Sequence, residues 1–144
     1  MRTNKRASGI IIRDKKVLLI RRFRKERGEY FVFPGGGVES DETVEDALVR
    51  EMKEELGIEI DTHEKLYEFS YKRIYGPGDK NDHYFLITEY SGEPEWIEGN
   101  EGPKENQDNQ YFLEWHDLDE ASNLNLLPTE MKEKISDIKI ILGL

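Results

Sequence analysis

Three glutamates, Glu51, Glu54 and Glu55, fall within two turns of one helical stretch, behind a run of three glycines, Gly35 to Gly37. Like charges at this spacing oppose each other by about 0.2–0.5 kcal/mol per pair on an exposed helix, and by more where water is partly excluded. A bound divalent cation reverses the sign of that cost. Carboxylates with no His or Cys beside them are hard oxygen donors, which suit Mg²⁺ or Mn²⁺ far better than zinc. A glycine-rich loop lets backbone approach a ligand closely, and its carbonyl oxygens can join such a site. A solvated acidic helix, with Arg50 paired to Glu54 at i,i+4, would explain Arg50 and Lys53. It leaves unexplained why acids stand in line with the apolar residues.

The helix that must hold these acids has clear ends. Thr43 is the N-cap, Asp46 three residues on approximates a capping box, and Glu45 favours the positive helix end. Gly57 supplies a left-handed stop, and Ile58 resumes an apolar strand. At about 100° per residue, Val44, Leu48 and Met52 form one apolar stripe. Glu51 and Glu55 fall on or beside that stripe and Glu54 roughly a quarter turn away, whereas charged residues normally occupy the opposite face.

Around the helix the chain reads as strands and turns. Residues 7–13 and 16–22 predict a hairpin about the turn "RDKK", and "EYFVFP" predicts a short strand stopped by Pro34. Two strand regions follow the helix, separated by the turn formers of "GPGDKND". In the first, Tyr67, Phe69 and Tyr71 alternate with Glu68, Ser70 and Lys72, the period of a half-buried strand. Residues 93–109 predict a long polar loop, "QYFLEWH" a last strand, and "LPTEMKEKISDIKIIL" an amphipathic helix capped by Thr129. Interleaved strands and helices predict a single α/β domain over residues 1–144.

Composition limits what such a domain does. The 144 residues are 36% apolar, with six Phe, seven Tyr and two Trp to fill a core. Thirty-one acidic and 21 basic residues leave a formal charge of −10, which argues against a long nucleic acid as partner. It permits a small anionic ligand held through a cation. There is no cysteine, which excludes disulfides and thiolate zinc sites and fits a cytoplasmic setting. The first residues, "MRTNKRASG", lack the apolar run of a signal peptide, and no stretch has the length of a membrane span.

The glycines and helix acids together resemble the Nudix box, G-x5-E-x7-R-E-U-x-E-E-x-G-U, with U a bulky apolar residue. Gly36, Glu42, Arg50, Glu51, Met52, Glu54, Glu55, Gly57 and Ile58 occupy all of its specified positions. The resemblance implies the Nudix fold, an α/β/α sandwich with a mixed β-sheet. It implies Mg²⁺-dependent hydrolysis of a nucleoside diphosphate linked to another group X, with Mn²⁺ able to substitute. Carried over position by position, Glu51, Glu54 and Glu55 would hold metal with the main-chain oxygen of Gly36. Arg50 would orient the glutamates, Glu42 would brace the loop, and Gly57 would end the helix. The cation would neutralise the diphosphate and activate water for in-line attack on phosphorus.

The general base implied by the family is Glu51 or an acid on a loop before the last strand, where Glu98, Glu101 and Glu105 stand; Glu101, in the turn-rich "NEGP", is preferred. In the basic stretch "RRFRKER", Arg21 and Arg22 are candidates for contact with the diphosphate. Tyr67, Phe69, Tyr71 and Tyr75 could stack a base, although core packing explains their alternation more simply. His63, His83 and His116 show no ligand spacing and receive no role. The implied partner is a small-molecule nucleotide, with no membrane and with a homodimer compatible with the family. The substrate stays open among nucleoside triphosphates, nucleotide sugars including ADP-ribose, and dinucleoside polyphosphates. A nucleotide-sensing module without turnover is the alternative function.

Overall fold

The structure, a computed structural model, describes residues 1–73, 76–97 and 106–144. The chain divides into two compact units, Met1–Ile10 with Pro34–Ile97, and Ile11–Phe33 with Glu98–Leu144. Each has its own sheet.

The first unit contains β1 (Arg2–Ile10), β5 (Gly35–Glu39), α1 (Val44–Leu56), β6 (Glu59–Lys72) and β7 (Asp79–Ser91). Its sheet runs in the order β5-β1-β7-β6. Strands β1 and β7 are parallel and the other two pairings antiparallel, so the sheet is mixed. Helix α1 packs on β1 and β5 through Ala47, Leu48, Met52 and Leu56, all fully buried. The fit is close. A Cβ on Gly9 would come within 3.1 Å of the Met52 sulfur. Both ends of α1 form as the sequence predicts. The Asp46 amide donates to Thr43 Oγ1 at 3.0 Å and the Thr43 amide to Asp46 Oδ2 at 3.3 Å, a complete capping box. Gly57 takes φ +70° and donates its N–H to the Lys53 carbonyl.

The second unit contains β2 (Ile12–Arg13), β3 (Lys16–Arg24), β4 (Gly28–Val32), β8 (Asn109–Asp117), α2 (Leu118–Ala121) and α3 (Glu130–Leu142). Strand β3 pairs with β2 and β4, and along its whole length with β8. Helix α2 packs on β3 and β8, and α3 packs on α2.

Three expectations differ from the structure, and the first is the glycine-rich loop: Gly35–Glu39 pairs antiparallel with β1 and is strand β5. The hairpin is only β2 with β3, closed by Asp14 and Lys15 at φ +52° and +63°, the signature of a two-residue turn of the I′ kind. The residues before it, up to Ile10, pair instead in the sheet of the first unit, because their partners β5 and β7 lie far along the chain. At the last helix, Thr129 precedes Glu130 but makes no side-chain cap. Its backbone is already helical and its hydroxyl donates to Glu130 Oε1 at 3.1 Å.

Candidate active site

Helix α1 buries a charge. Glu51 lies on the same face as Leu48 and Met52 and has no exposed surface. A carboxylate removed from water must be compensated by opposite charge and hydrogen bonds. Arg50 Nη1 donates to Glu51 Oε1 at 2.8 Å, and Arg2 Nη2 stands 3.8 Å from the same oxygen.

Arg50 is the hub of the site. Its Nε and Nη2 grip both oxygens of Glu42, at 3.1 and 2.6 Å, a bidentate charge-assisted pair. The same Nη2 donates to the Gly37 carbonyl at 3.0 Å, and Nη1 also donates to Glu54 Oε2 at 3.1 Å. Glu42 Oε1 in turn accepts the Glu39 amide at 2.9 Å. One guanidinium thus ties the strand-to-helix loop to two of the three helix acids. The Glu42 bond raises the Arg50 pKa, and the Arg50 bond holds the Glu42 carboxyl below its usual range.

The glycines of β5 complete the arrangement. A Cβ on Gly36 would collide with the Glu51 carboxylate, so only glycine fits there. The Gly35 amide donates to Glu55 Oε1 at 3.2 Å. Among the described residues no three acidic or imidazole side chains converge as a ready metal cluster. Glu51 and Glu54 turn toward Arg50, and Glu55 toward the Gly35 amide of β5. The donor set nevertheless fits a hard cation. Two carboxylates already share one positive nitrogen, Arg50 Nη1, and a third, Glu55 on the same helix, accepts from the first amide of β5.

A family model of the NUDIX domain matches residues 3–138. The chain belongs to the Nudix family.

Among its relatives is the ADP-ribose pyrophosphatase of Methanocaldococcus jannaschii, 54% identical over 50 residues, which cover 35% of this chain and 30% of that protein. Another is the CTP pyrophosphohydrolase of Escherichia coli, 42% identical over 86 residues, 59% of this chain and 62% of the relative. The chain therefore spans less than two thirds of the length of each. The solution structure of the E. coli ORF135 protein superposes with a TM-score of 0.73 at 28% identity, covering 94% of this chain and 89% of that one. The fold is the α/β Nudix fold with a mixed sheet.

The remaining Nudix site candidates fall in different places. Arg21 and Arg22, adjacent on β3, point to opposite faces of their sheet, as successive strand residues must. Arg21 donates to Glu114 Oε2 at 2.9 Å and lies over the Phe112 ring. Arg22 lies 3.7 Å from the Tyr111 centroid and donates to the Gln110 carbonyl at 3.3 Å. Burial lowers its pKa. The two cannot serve one ligand side by side. Glu98, Glu101 and Glu105, with Tyr75, lie outside the described residues.

Two arginines escaped the sequence reading. Arg2 reaches Glu51 and Glu39, its side chain lying against Gly37, where a Cβ would come within 2.9 Å of it. Arg6 is half-buried on β1. Burial disfavours its charge, but Glu55 foremost, then Asp82, Tyr84 and Glu51, raise its pKa overall. Neither had a sequence signal, because each acquires its partners only through strand pairing. Asp82 did have one. In "DHYFLI" both alternating sets are apolar apart from Asp82 and His83, so a carboxylate there has to be buried on one face or the other.

Proposed function

We propose that the chain is a divalent-metal-dependent Nudix pyrophosphohydrolase that cleaves the diphosphate linkage of a nucleoside diphosphate derivative. The observation that carries the reading is the buried Glu51 carboxylate, nested against Gly36 and sharing Arg50 with Glu54. A chain keeps so costly a group where a ligand repays it. The complete box and the names of the relatives support the same reaction class.

In this reading Glu51, Glu54 and Glu55, with the Gly36 carbonyl, bind Mg²⁺, for which Mn²⁺ substitutes. The cation supplies charge neutralisation of the diphosphate and activation of water. Arg50 orients the acids, and Glu42 holds Arg50 in the plane from which it can reach both. Gly36 lets the Glu51 carboxylate press against β5, and Gly57 stops the helix one residue after its last buried contact, Leu56. The base that takes the proton from water is Glu101, with Glu51 as the competing assignment. One Nudix domain over residues 1–144, a small nucleotide as partner and a cytoplasmic setting belong to the same proposal. Among the described residues no helix is long and apolar enough to cross a membrane.

A thermal titration with Mn²⁺ tests the metal site without relying on turnover. Only the folded chain assembles the carboxylates, so metal raises the melting temperature by mass action. The wild type should shift upward and the double variant Glu54→Gln/Glu55→Gln should not. Equal shifts remove the site. Mg²⁺-dependent release of a nucleotide or phosphate from a panel of nucleoside diphosphate derivatives tests the reaction, and its absence would leave a binding module.

A further inference from the structure

Strand pairing in the first unit places a second polar cluster on the face of the sheet opposite α1. Ala7 and Gly9, with Gly36, face the helix. The intervening residues Arg6 and Ser8 of β1 therefore face away, as do Asp82 and Tyr84, their partners on β7, and Phe69 and Tyr71 on β6. Asp82 is 1% exposed. Its Oδ2 accepts two tyrosine hydroxyls, from Tyr71 at 2.9 Å and Tyr84 at 3.3 Å. Its Oδ1 is buried and has no hydrogen-bond donor among the described residues. A buried carboxylate with one oxygen doubly satisfied and the other unmet is expensive, since native structures pair nearly all such atoms.

Two further features lie on the same face of the sheet as Asp82. The aromatic row of β6 is not core. Tyr67, Phe69 and Tyr71 are all half-buried, with Tyr67 and Phe69 ring planes 22° apart and the Phe69 edge on Tyr84. Tyr71, at one end of the row, itself donates to the carboxylate. Cations stand beside it. Arg6 lies in the electrostatic field of both Asp82 and the helix acids Glu55 and Glu51, and Lys80 lies in that of Arg6, Arg73 and Asp82. Flat aromatic surface, an acceptor lacking a donor, and positive charge leading toward the metal-binding acids match the three parts of a nucleotide.

We propose that Asp82 is a specificity-determining residue that accepts a hydrogen bond from the exocyclic amine of the substrate's nucleobase, with Phe69 and Tyr71 as the stacking wall and Arg6 on the phosphate side. The inference rests on the nucleotide reading above and adds to it a base class, amino-bearing rather than keto-bearing. A carboxylate can only accept, so an amino group at this point gains a charge-assisted bond while a carbonyl meets a like partial charge. Sites that read a polar group in this way discriminate by leaving their own buried atom unpaired with the wrong ligand.

Calorimetric binding of nucleoside diphosphates in EDTA, where metal-dependent turnover is suppressed, tests the assignment. CDP is compared with UDP and ADP with IDP, pairs that exchange one amino group for a carbonyl. In the wild type at least one amino-bearing member should bind about tenfold or more tightly than its keto counterpart. Asp82→Asn, whose amide both donates and accepts, should bring that pair within about twofold. Phe69→Leu removes part of the stacking wall, keeps the carboxylate and its two tyrosine donors, and should weaken both members while preserving the preference, which guards against an Asp82 variant that fails to fold. Equal binding of both pairs by the wild type, a preference retained by Asp82→Asn, or no measurable binding of either amino nucleotide overturns the proposal. Turnover without the preference sinks this inference alone, and the preference without turnover sinks the hydrolase reading alone.

Discussion

The carboxylate of Glu51 occupies the space in which a side chain at position 36 would have to sit. The strand glycine and the buried helix acid are therefore one structural feature. Substituting Gly36→Ala forces either the strand or the glutamate to move, at an overpacking cost of about 1–3 kcal/mol. Urea denaturation should show that loss, and the Mn²⁺-induced rise in melting temperature should shrink with it. A Gly36→Ala protein with wild-type stability and a full metal shift would break the link between the two residues.

The glutamates divide the labour. Glu54→Gln keeps volume but removes a charged oxygen, so it should weaken metal affinity, and excess Mg²⁺ should recover part of the activity. Glu101→Gln should leave Mn²⁺ affinity intact and lower kcat about 10²–10⁴-fold, the usual range for loss of a general base. Kinetics at saturating metal separate the cases. If Glu101→Gln, Glu98→Gln and Glu105→Gln all remain near wild type, Glu51 takes the role.

Opposite orientation on β3 makes a prediction about the basic stretch. Arg21 and Arg22 face away from each other, one against Phe112 and Glu114, the other against Tyr111. Only one of Arg21→Ala and Arg22→Ala should raise KM with a smaller change in kcat, the mark of lost uniform binding. Equal KM increases in both would contradict the opposed geometry, and no change in either would return the stretch to a solvated or packing role.

Acid should loosen the loop through Glu42. Arg50 depresses its carboxyl pKa in the folded state, so the unfolded chain takes up that proton at the higher pH. The stabilisation is complete above the unfolded value of about 4.3 and drains away as pH falls through the lower folded one. Glu42→Gln should be less stable than wild type at pH 7 and should lose less on going from pH 5 to pH 3. Parallel stability profiles for the two proteins would mean that the pair carries no linkage.

The capping box at Thr43 is local and should act locally. Thr43→Ala removes the acceptor for the Asp46 amide and should cost about 1 kcal/mol. Loss of the Mn²⁺ response in addition would mean that the cap also positions the acids at the other end of α1.

Helix α1 was legible residue by residue. Its cap, its stop and its apolar stripe depend on neighbours within four positions, so their spacing in the chain states their geometry. The box acids and Arg50 were legible for the same reason, since Arg50 meets Glu51 and Glu54 on its own helix and Glu42 eight residues back. Thr129 shows the edge of that legibility, because a suitable residue type at a helix start does not ensure the backbone angle a cap needs.

Sequence by itself thus determined the family and the helix that carries Glu51, Glu54 and Glu55. What only tertiary structure decided is what faces them. Alternation along "YEFSYK" sorts side chains to two faces but does not say which face is covered. The structure leaves Tyr67, Phe69 and Tyr71 half-buried rather than in the core. Arg6 meets Asp82 because β1 lies parallel to β7, and Arg2 meets Glu51 because β1 pairs with β5. Strand register between distant segments is set by the packing of the whole sheet, and no interval counted along the chain contains it.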